Sequence, residues 1–319
     1  MTSTTAFEAE ILPLQDCKDW QHLVETSATS TVFHEHWYLR HLGIRRLAIV
    51  CHKGEVVGAM PVFDGHGVRE TAQNGLLVPY CGPIIPTRHQ DLRRQMTFAR
   101  DVCFTLIALL QDRFDLVRFA LAPTHLDVVP FIEKGFFPEL RFTYRRGRPI
   151  APDKLSNGRR SDLERFRKQG GTITPDQALE RFDVEAACRW NPDASYIAKS
   201  RRILEDACMR DRARVYVGDF AGQHLGGLLV MTDGVDAFCT HSYYTDKGAK
   251  LGASTALYLH ALDSHFADPR AECFDFEGSV LTGVERFYQS FAARQTPYIG
   301  LHWAADPARL KLASLYTYK

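Results

Sequence analysis

The chain has 319 residues, 45% hydrophobic and 24% charged, with 39 Lys and Arg against 38 Asp and Glu, a formal net charge of +1. This is ordinary globular composition with length for roughly two domains, and the balanced charge by itself points to no class of partner. A membrane span is excluded, because the longest apolar run, Cys103 to Leu110, is far too short to cross a bilayer. The N-terminus has no basic, apolar leader, and the eight cysteines are scattered without a C-x-x-C pair. A soluble, reduced, cytoplasmic protein is therefore expected.

In chain order, residues 16–43 read as helix. His34 and His36 lie two positions apart and would face different ways on it, so no metal site is expected there. Arg46 to Cys51 and Val56 to Phe63 read as a hairpin turning at Lys53-Gly54. Leu76 to Tyr80 and Gly82 to Pro86 are extended and proline-punctuated. Met96 to Phe114 has the spacing of a long amphipathic helix, Leu116 to Leu121 that of a buried strand, and Leu126 to Lys134 that of a helix stopped at Gly135. Phe142 to Tyr144 reads as a short strand.

Residues 146–160, rich in Pro, Gly and charge, read as the domain boundary, giving units 1–150 and 151–319. Asp162 to Lys168 and Tyr196 to Arg210 follow as helices. Arg214 to Asp219 and His224 to Met231 form a second hairpin turning at Ala221-Gly222. Asp236 to Tyr244 is a strand, Leu257 to Phe266 lies in a helix entered at Gly252, and Cys273 to Glu277 is a short buried strand.

Two basic clusters stand out. Lys154 to Gln169 holds six Lys and Arg against Asp162 and Glu164, a net of +4, and Lys199 to Arg214 holds six against Glu205, Asp206 and Asp211, a net of +3. Such clusters suit an anionic ligand, though a solvated helix face has the same composition.

The halves repeat. Gly54-Glu-Val-Val-Gly-Ala-Met-Pro-Val62 matches Gly222-Gln-His-Leu-Gly-Gly-Leu-Leu-Val230 at an offset of 168. Asp115 to Leu121 with Phe131 to Phe136 echoes Cys273 to Glu277 with Phe287 to Phe291. The fold class is thus α/β (α+β), two related units of helix, hairpin, long helix, buried strand and helix. The last strand of the second copy carries Asp275 and Glu277 on one face, with Gly278 able to turn sharply after it. Two acids on a core strand are costly unless paired or used. A structural pair of Glu277 with Arg286 is one reading, a chemical site the other. The equivalent strand of the first copy, Leu116 to Leu121, has no acid, so the fold itself does not require them.

Four stretches carry a resemblance: Leu155 to Lys168, Gly218 to Val230, Phe274-Asp-Phe-Glu-Gly-Ser279, and Val284-Glu-Arg-Phe-Tyr-Gln-Ser-Phe291. Each half resembles an acyltransferase domain of the GNAT superfamily, and the pair resembles the FemAB-like Fem-type aminoacyltransferases. The resemblance implies two tandem GNAT-like units, each a mixed twisted sheet flanked by helices. The first would serve structure and the acceptor side, the second the donor and the chemistry. It implies a gap between splayed strands near Phe238 to Tyr244 and the end of the strand at Asp275 to Glu277. Tyr288 matches the GNAT tyrosine that serves as acid, and Glu277, Asp275 and His241 are candidate bases.

The donor loop of coenzyme-A-using relatives matches Ala249-Lys-Leu-Gly252-Ala-Ser254, with Gly252 in place, Ala249 where Gln or Arg stands, and Ser254 for a smaller residue. Lys247, Lys250, Gly252 and Ser254 are the implied donor contacts. Arg159, Arg160, Lys199, Arg201, Tyr243 and Arg286 are the implied substrate contacts.

The Fem-type resemblance implies an aminoacyl-tRNA donor, held at its acceptor end by the basic clusters. The acceptor would be an amine on a peptidoglycan-precursor peptide or a small metabolite. An acyl-CoA-dependent N-acyltransferase acting on an amino sugar or small amine, and a GNAT-fold scaffold without catalysis, are the alternatives. No cofactor, metal or membrane insertion is expected beyond the donor.

Overall fold

The computed structural model describes residues 7–63, 71–73, 77–125, 127–148, 155–176, 179–278 and 282–308. The chain divides into two compact units, Met1–Arg141 with Pro297–Lys319, and Phe142–Thr296. The sequence places the division at 150/151 and gives the whole C-terminal part to the second unit. In the structure the strand that straddles 141/142 is continuous, and the last segment returns to the first unit. Residues 149–154 of the expected boundary, with Lys154, lie outside the described residues, as do Leu76, Leu126 and Ser279.

In the first unit, strand β1 (Glu8–Pro13) pairs antiparallel with β2 (Arg46–His52), which pairs with β3 (Glu55–Val62). Helices α1 (Trp20–Thr26) and α2 (His36–Leu42) precede the hairpin. The expected single helix over 16–43 is thus broken. Ser30 Oγ donates to the carbonyls of Val24 and Ser27, and Ser27 leaves the helix with extended backbone, so hydroxyl-to-backbone bonds displace the helical ladder. His34 is buried against the Gly82 carbonyl at 3.2 Å.

Strand β4 (Thr71–Gln73) pairs parallel with β5 (Leu116–Ala120), reached through the long helix α3 (Leu92–Arg113), and α4 (Val129–Glu133) follows. The core packs Val102, Leu106, Ile107 and Leu110 of α3 on Ala48, Val50, Val57 and Met60 of the hairpin, with Phe119, Phe131 and Phe136 beneath. Strand β6 (Phe137–Gly147) runs across the unit boundary and is far longer than the expected Phe142–Tyr144.

The second unit opens with helix α5 (Asn157–Lys168), capped by Ser156, then strand β7 (Thr172–Asp176), the short helix α6 (Val184–Ala187) and α7 (Ala194–Met209). Strands β8 (Ala213–Phe220), β9 (Gln223–Thr232) and β10 (Asp236–Tyr244) form an antiparallel meander with β7 on its edge. Helices α8 (Asp246–Leu251) and α9 (Ala253–Ala267) meet at Gly252. They lead to β11 (Cys273–Asp275), parallel to β10 and antiparallel to β6, and to α10 (Thr282–Gln289). Strand β12 (Arg294–Ala304) is the last described strand, its residues Gly300–Ala304 pairing with β5 inside the first unit. The core of the second unit lies between the sheet and α9, around Leu228, Ala237, Leu257, Tyr258, Phe274, Phe276 and Phe291.

The repeat is physical. Lys53 and Gly54 have φ of 54° and 79°, and Ala221 and Gly222 have 48° and 74°, the left-handed pair that a two-residue hairpin turn requires. The register slips between Val50 and Cys51 in one hairpin and between Gly218 and Asp219 in the other, again 168 residues apart. β4 runs parallel to β5 as β10 does to β11.

Candidate active site

The site begins with a loss of pairing. β10 and β11 pair at only three positions, Asp236 with Cys273, Ala237 with Phe274 and Phe238 with Asp275. Just beyond, β10 carries a bulge between Cys239 and His241 in its pairing with β9. A bulge bends its strand and re-aims the side chains beyond it. Cys239 pairs with Val230 and His241 with the adjacent Leu229, so the two lie on opposite faces of the sheet. This is the gap expected near Phe238 to Tyr244.

β11 ends at the gap in a tight turn. The fully buried Asp275 accepts from the Thr143 hydroxyl at 2.5 Å and from the Glu277 backbone N–H at 2.8 Å, and its other oxygen faces Arg145 Nε at 3.5 Å. Arg145 also holds Asp236 at 2.5 Å. Asp275 is therefore saturated by its own unit. Through the Glu277 N–H it shapes the turn.

The turn forces Glu277 into left-handed backbone at φ 60°, a conformation non-glycine residues enter at a cost of order 1 kcal/mol. Its side chain is half-buried, and among the described residues none hydrogen-bonds or ion-pairs with its carboxylate. The expected pair with Arg286 does not form; Arg286 is exposed on α10. Burial, and then the Asp275 charge, push the Glu277 carboxyl up to about 8.

Tyr288 of α10 packs on Phe276 at 5.2 Å and Tyr144 at 5.9 Å between ring centroids. Burial, then Cys239 and Tyr244, raise its hydroxyl above the usual tyrosine range, and Glu277 acts in the same direction. It stays protonated. His241 is buried, its Nδ1 without a hydrogen-bond partner, and burial pushes it down to about 4, so it is neutral at pH 7.

The other expected contacts divide. The Tyr243 hydroxyl is occupied, accepting from the Asp183 N–H at 3.0 Å and meeting His224 Nε2 at 2.6 Å, and so anchors α6. Arg159 is turned inward. It donates to the Thr255 hydroxyl at 2.8 Å, pairs with Asp162 at 3.0 Å and lies over the Phe287 ring at 5.1 Å. Arg160 is exposed and bonds Asn157, while Lys199 is exposed and Arg201 half-buried on α7. Lys247 lies over Phe220 and donates to Gln223, and Lys250 is exposed.

Gly252, at φ 88°, both ends α8 and starts α9, with Ser254 half-buried in the first turn. A Cβ at Gly252 would stand 2.5 Å from the Asp162 carbonyl oxygen. The Asp162 carboxylate accepts from Thr255 at 3.3 Å and is also held by Arg165. Helix α5 thus approaches the start of α9 closely and brings Asp162 there together with its two arginine partners, Arg159 and Arg165. The sequence gives the glycine and the basic run, but not that they meet.

Sequence reasoning also passes over Tyr196 and Ser200 of α7 and Thr240 in the bulge. All three hydroxyl oxygens are buried and make no hydrogen bond of good geometry among the described residues, although those of Tyr196 and Ser200 are neighbours and Ser200 also lies beside Cys188. A tyrosine and a serine four apart on an otherwise apolar helix face are the signal that could have found the first two.

The architecture is that of a FemAB-like tandem GNAT fold. Neither a protein-family profile nor a curated protein sequence matches the chain. Solved structures similar to it include one described as FemX, at 10% identity and a TM-score of 0.63, covering 96% of this chain and 99% of that one. The structure of L-PGS from Bacillus licheniformis matches at 13% identity and a TM-score of 0.56, covering 93% and 95%. A tandem GNAT protein from the clavulanic acid biosynthesis pathway matches at 11% identity and a TM-score of 0.54, covering 94% and 99%. Among the described residues, no helix is long and apolar enough to cross a membrane.

Proposed function

We propose that the protein is an amide-bond-forming acyltransferase whose chemistry lies in the second unit, at the gap between β10 and β11. The observation that carries this is Glu277, a carboxylate without a hydrogen-bond or ion-pair partner among the described residues, held by a strained turn at that gap. A fold that needed Glu277 only for packing would gain by pairing it or replacing it with an apolar residue. With its carboxyl near 8, Glu277 is matched to accept a proton from an alkylammonium or amine near neutral pH.

In the reaction the acceptor nitrogen attacks the acyl carbon and a C–N bond forms. The bond from that carbon to the donor's leaving oxygen or sulfur breaks. Glu277 takes the proton lost by the amine, and Tyr288 gives one to the leaving atom. His241, neutral and buried, has a donor or acceptor to offer but is a poor base.

For the donor, the reading favoured is an aminoacyl-tRNA, with an amine on a peptidoglycan-precursor peptide or a small metabolite as acceptor. The start of α9, where a coenzyme A pyrophosphate would be cradled, is closely approached by α5, whose Asp162 carbonyl lies 2.5 Å from where a Cβ of Gly252 would stand. Arg160, Lys199, Lys250 and Arg286 remain exposed for nucleic acid phosphates. Acyl-CoA is the second reading, resting on Gly252 and its neighbouring lysines.

A donor panel of charged tRNAs and acyl-CoAs, with hydroxylamine as acceptor and hydroxamate as readout, tests the proposal. Ribonuclease-sensitive transfer is expected, and Tyr288→Phe should lower kcat on the order of 10²-fold with an unchanged melting temperature. Transfer that needs only acyl-CoA would overturn the donor assignment. Transfer from no donor would overturn the enzyme.

A further inference from the structure

Past the bulge, the register turns Ser242 and Tyr244 of β10 to the same face as Cys239, while His241 and Tyr243 turn to the other. The Cys239 face is the one covered by α9 and α10. Cys239, Tyr258 of α9, Phe276 and Phe291 share one core there, with Tyr244 and the α10 residues Phe287 and Tyr288 packed against it. The Tyr258 ring stacks on Phe276 at 5.6 Å between centroids and meets Phe287 at 5.3 Å, Phe291 at 5.7 Å and Tyr288 at 6.2 Å. Its hydroxyl is the common neighbour of the Ser242, Tyr244 and Tyr288 hydroxyls and the Cys239 thiol. Three elements, β10, α9 and α10, thus bring polar side chains to one point inside an aromatic core.

Packing alone does not call for these hydroxyls. The core of the first unit, among the described residues, is built on Phe119, Phe131 and Phe136 and holds no tyrosine. A phenylalanine at 258 would keep the same ring contacts and bury no polar group. Tyr258 itself is 2% exposed, so its hydroxyl is not there to meet bulk solvent. The surroundings of Tyr288 supply a use for it. Burial, then Cys239, Tyr244 and Glu277, oppose loss of the Tyr288 proton, while the Tyr258 hydroxyl favours it. A buried phenol can act as an acid only if the charge left on its oxygen is met by a donor already in place.

We propose that Tyr258 is a positioning residue for Tyr288: its hydroxyl orients that of Tyr288 and donates a hydrogen bond to the Tyr288 oxygen as the proton passes to the leaving group. Ser242 and Tyr244 stand behind it and share the charge in turn. This rests on the acyltransferase reading. In the step itself the proton on Tyr288 Oη goes to the leaving oxygen or sulfur, and Tyr258 keeps its own. Tyr288 afterwards regains a proton from water, to which Glu277 releases the one taken from the amine. Hydrogen bonds of this kind tighten when the reacting groups are bound.

The test is a double-mutant cycle on transfer to hydroxylamine from charged tRNAs and acyl-CoAs. Tyr258→Phe should lower kcat about ten-fold, with KM within about three-fold of wild type, and should cost nothing further in the Tyr288→Phe protein. An unchanged kcat, or the same loss in both backgrounds, would overturn the proposal, because Tyr258 would then not act through Tyr288. A second measurement needs no Tyr258 variant. In protein labelled with carbon-13 at tyrosine Cζ, the NMR signal missing from Tyr288→Phe belongs to Tyr288. In an equal mixture of H2O and D2O it should appear as two lines, because a hydrogen-bonded hydroxyl exchanges slowly enough for its isotopes to be seen apart. A single line would overturn the proposal. If wild type uses no donor, the acyltransferase reading fails by itself, and the hold of Tyr258 on Tyr288 stands or falls on that signal.

Discussion

Replacing Glu277 with Gln removes an ionisable group while keeping its shape, so it isolates the cost of the charge. Burial and Asp275 push this carboxyl up to about 8, from an ordinary value near 4.5. Each unit is about 1.4 kcal/mol, so ionising Glu277 in the folded protein costs at most about 5 kcal/mol relative to the unfolded chain. The side chain is half-buried, and solvent contact should bring this to roughly 2–3 kcal/mol.

The sign follows from proton counts. Between pH 4.5 and 8 the folded state holds a proton that the unfolded state has released, so wild-type stability falls across that window and stays low above it. Gln has no such penalty. Urea unfolding at pH 4.5 should therefore give nearly coincident curves for Glu277→Gln and wild type, while at pH 9 the variant should be more stable by about 2–3 kcal/mol. A difference independent of pH, or a variant less stable at pH 9, would refute the reasoning and mean that the carboxylate is paired after all. The same value sets the reaction: wild-type kcat/KM should rise with pH to a plateau with its midpoint near 8, and Glu277→Gln should lose that rise.

Asp275→Asn should behave in the opposite way. It removes the charge that Thr143, Arg145 and the Glu277 N–H surround, so stability at pH 7 should fall by about 3 kcal/mol in urea unfolding. An Asp275→Asn protein as stable as wild type but inactive would make Asp275 a direct participant in the chemistry. Gly252→Ala places a Cβ 2.5 Å from the Asp162 carbonyl at φ 88°, and should cost roughly 1–3 kcal/mol, measured the same way. No loss would mean that α5 yields there and that the start of α9 is accessible.

The elements read most closely from sequence are those with local causes. Lys53-Gly54 and Ala221-Gly222 announce their turns through residues that tolerate left-handed backbone, and the hairpins follow. Glu277 was legible because an acid at the end of an apolar strand conflicts with its surroundings. β1 and β7 were not, because both are edge strands with half-exposed residues and a proline, and alternate too weakly to stand out. The break between α1 and α2 depends on Ser30 bonding backward, a competition that apolar spacing does not reveal.

Charge clusters gave number without direction. Arg159 and Arg160 are neighbours in sequence, yet one is turned inward on Thr255 and Asp162 and the other is exposed. Tyr243 had the right composition for a ligand contact, and only the fold shows its hydroxyl already occupied by Asp183 and His224.

The pairing of β12 with β5 has a consequence for synthesis. β5 is made about 180 residues ahead of its antiparallel partner, Gly300–Ala304. Until then one edge of β5 lacks that partner and offers its backbone groups to any passing strand. The first unit must therefore wait, unfinished, while the second is translated, and a nascent chain arrested near residue 296 should be more prone to aggregate than one that includes Gly300–Ala304.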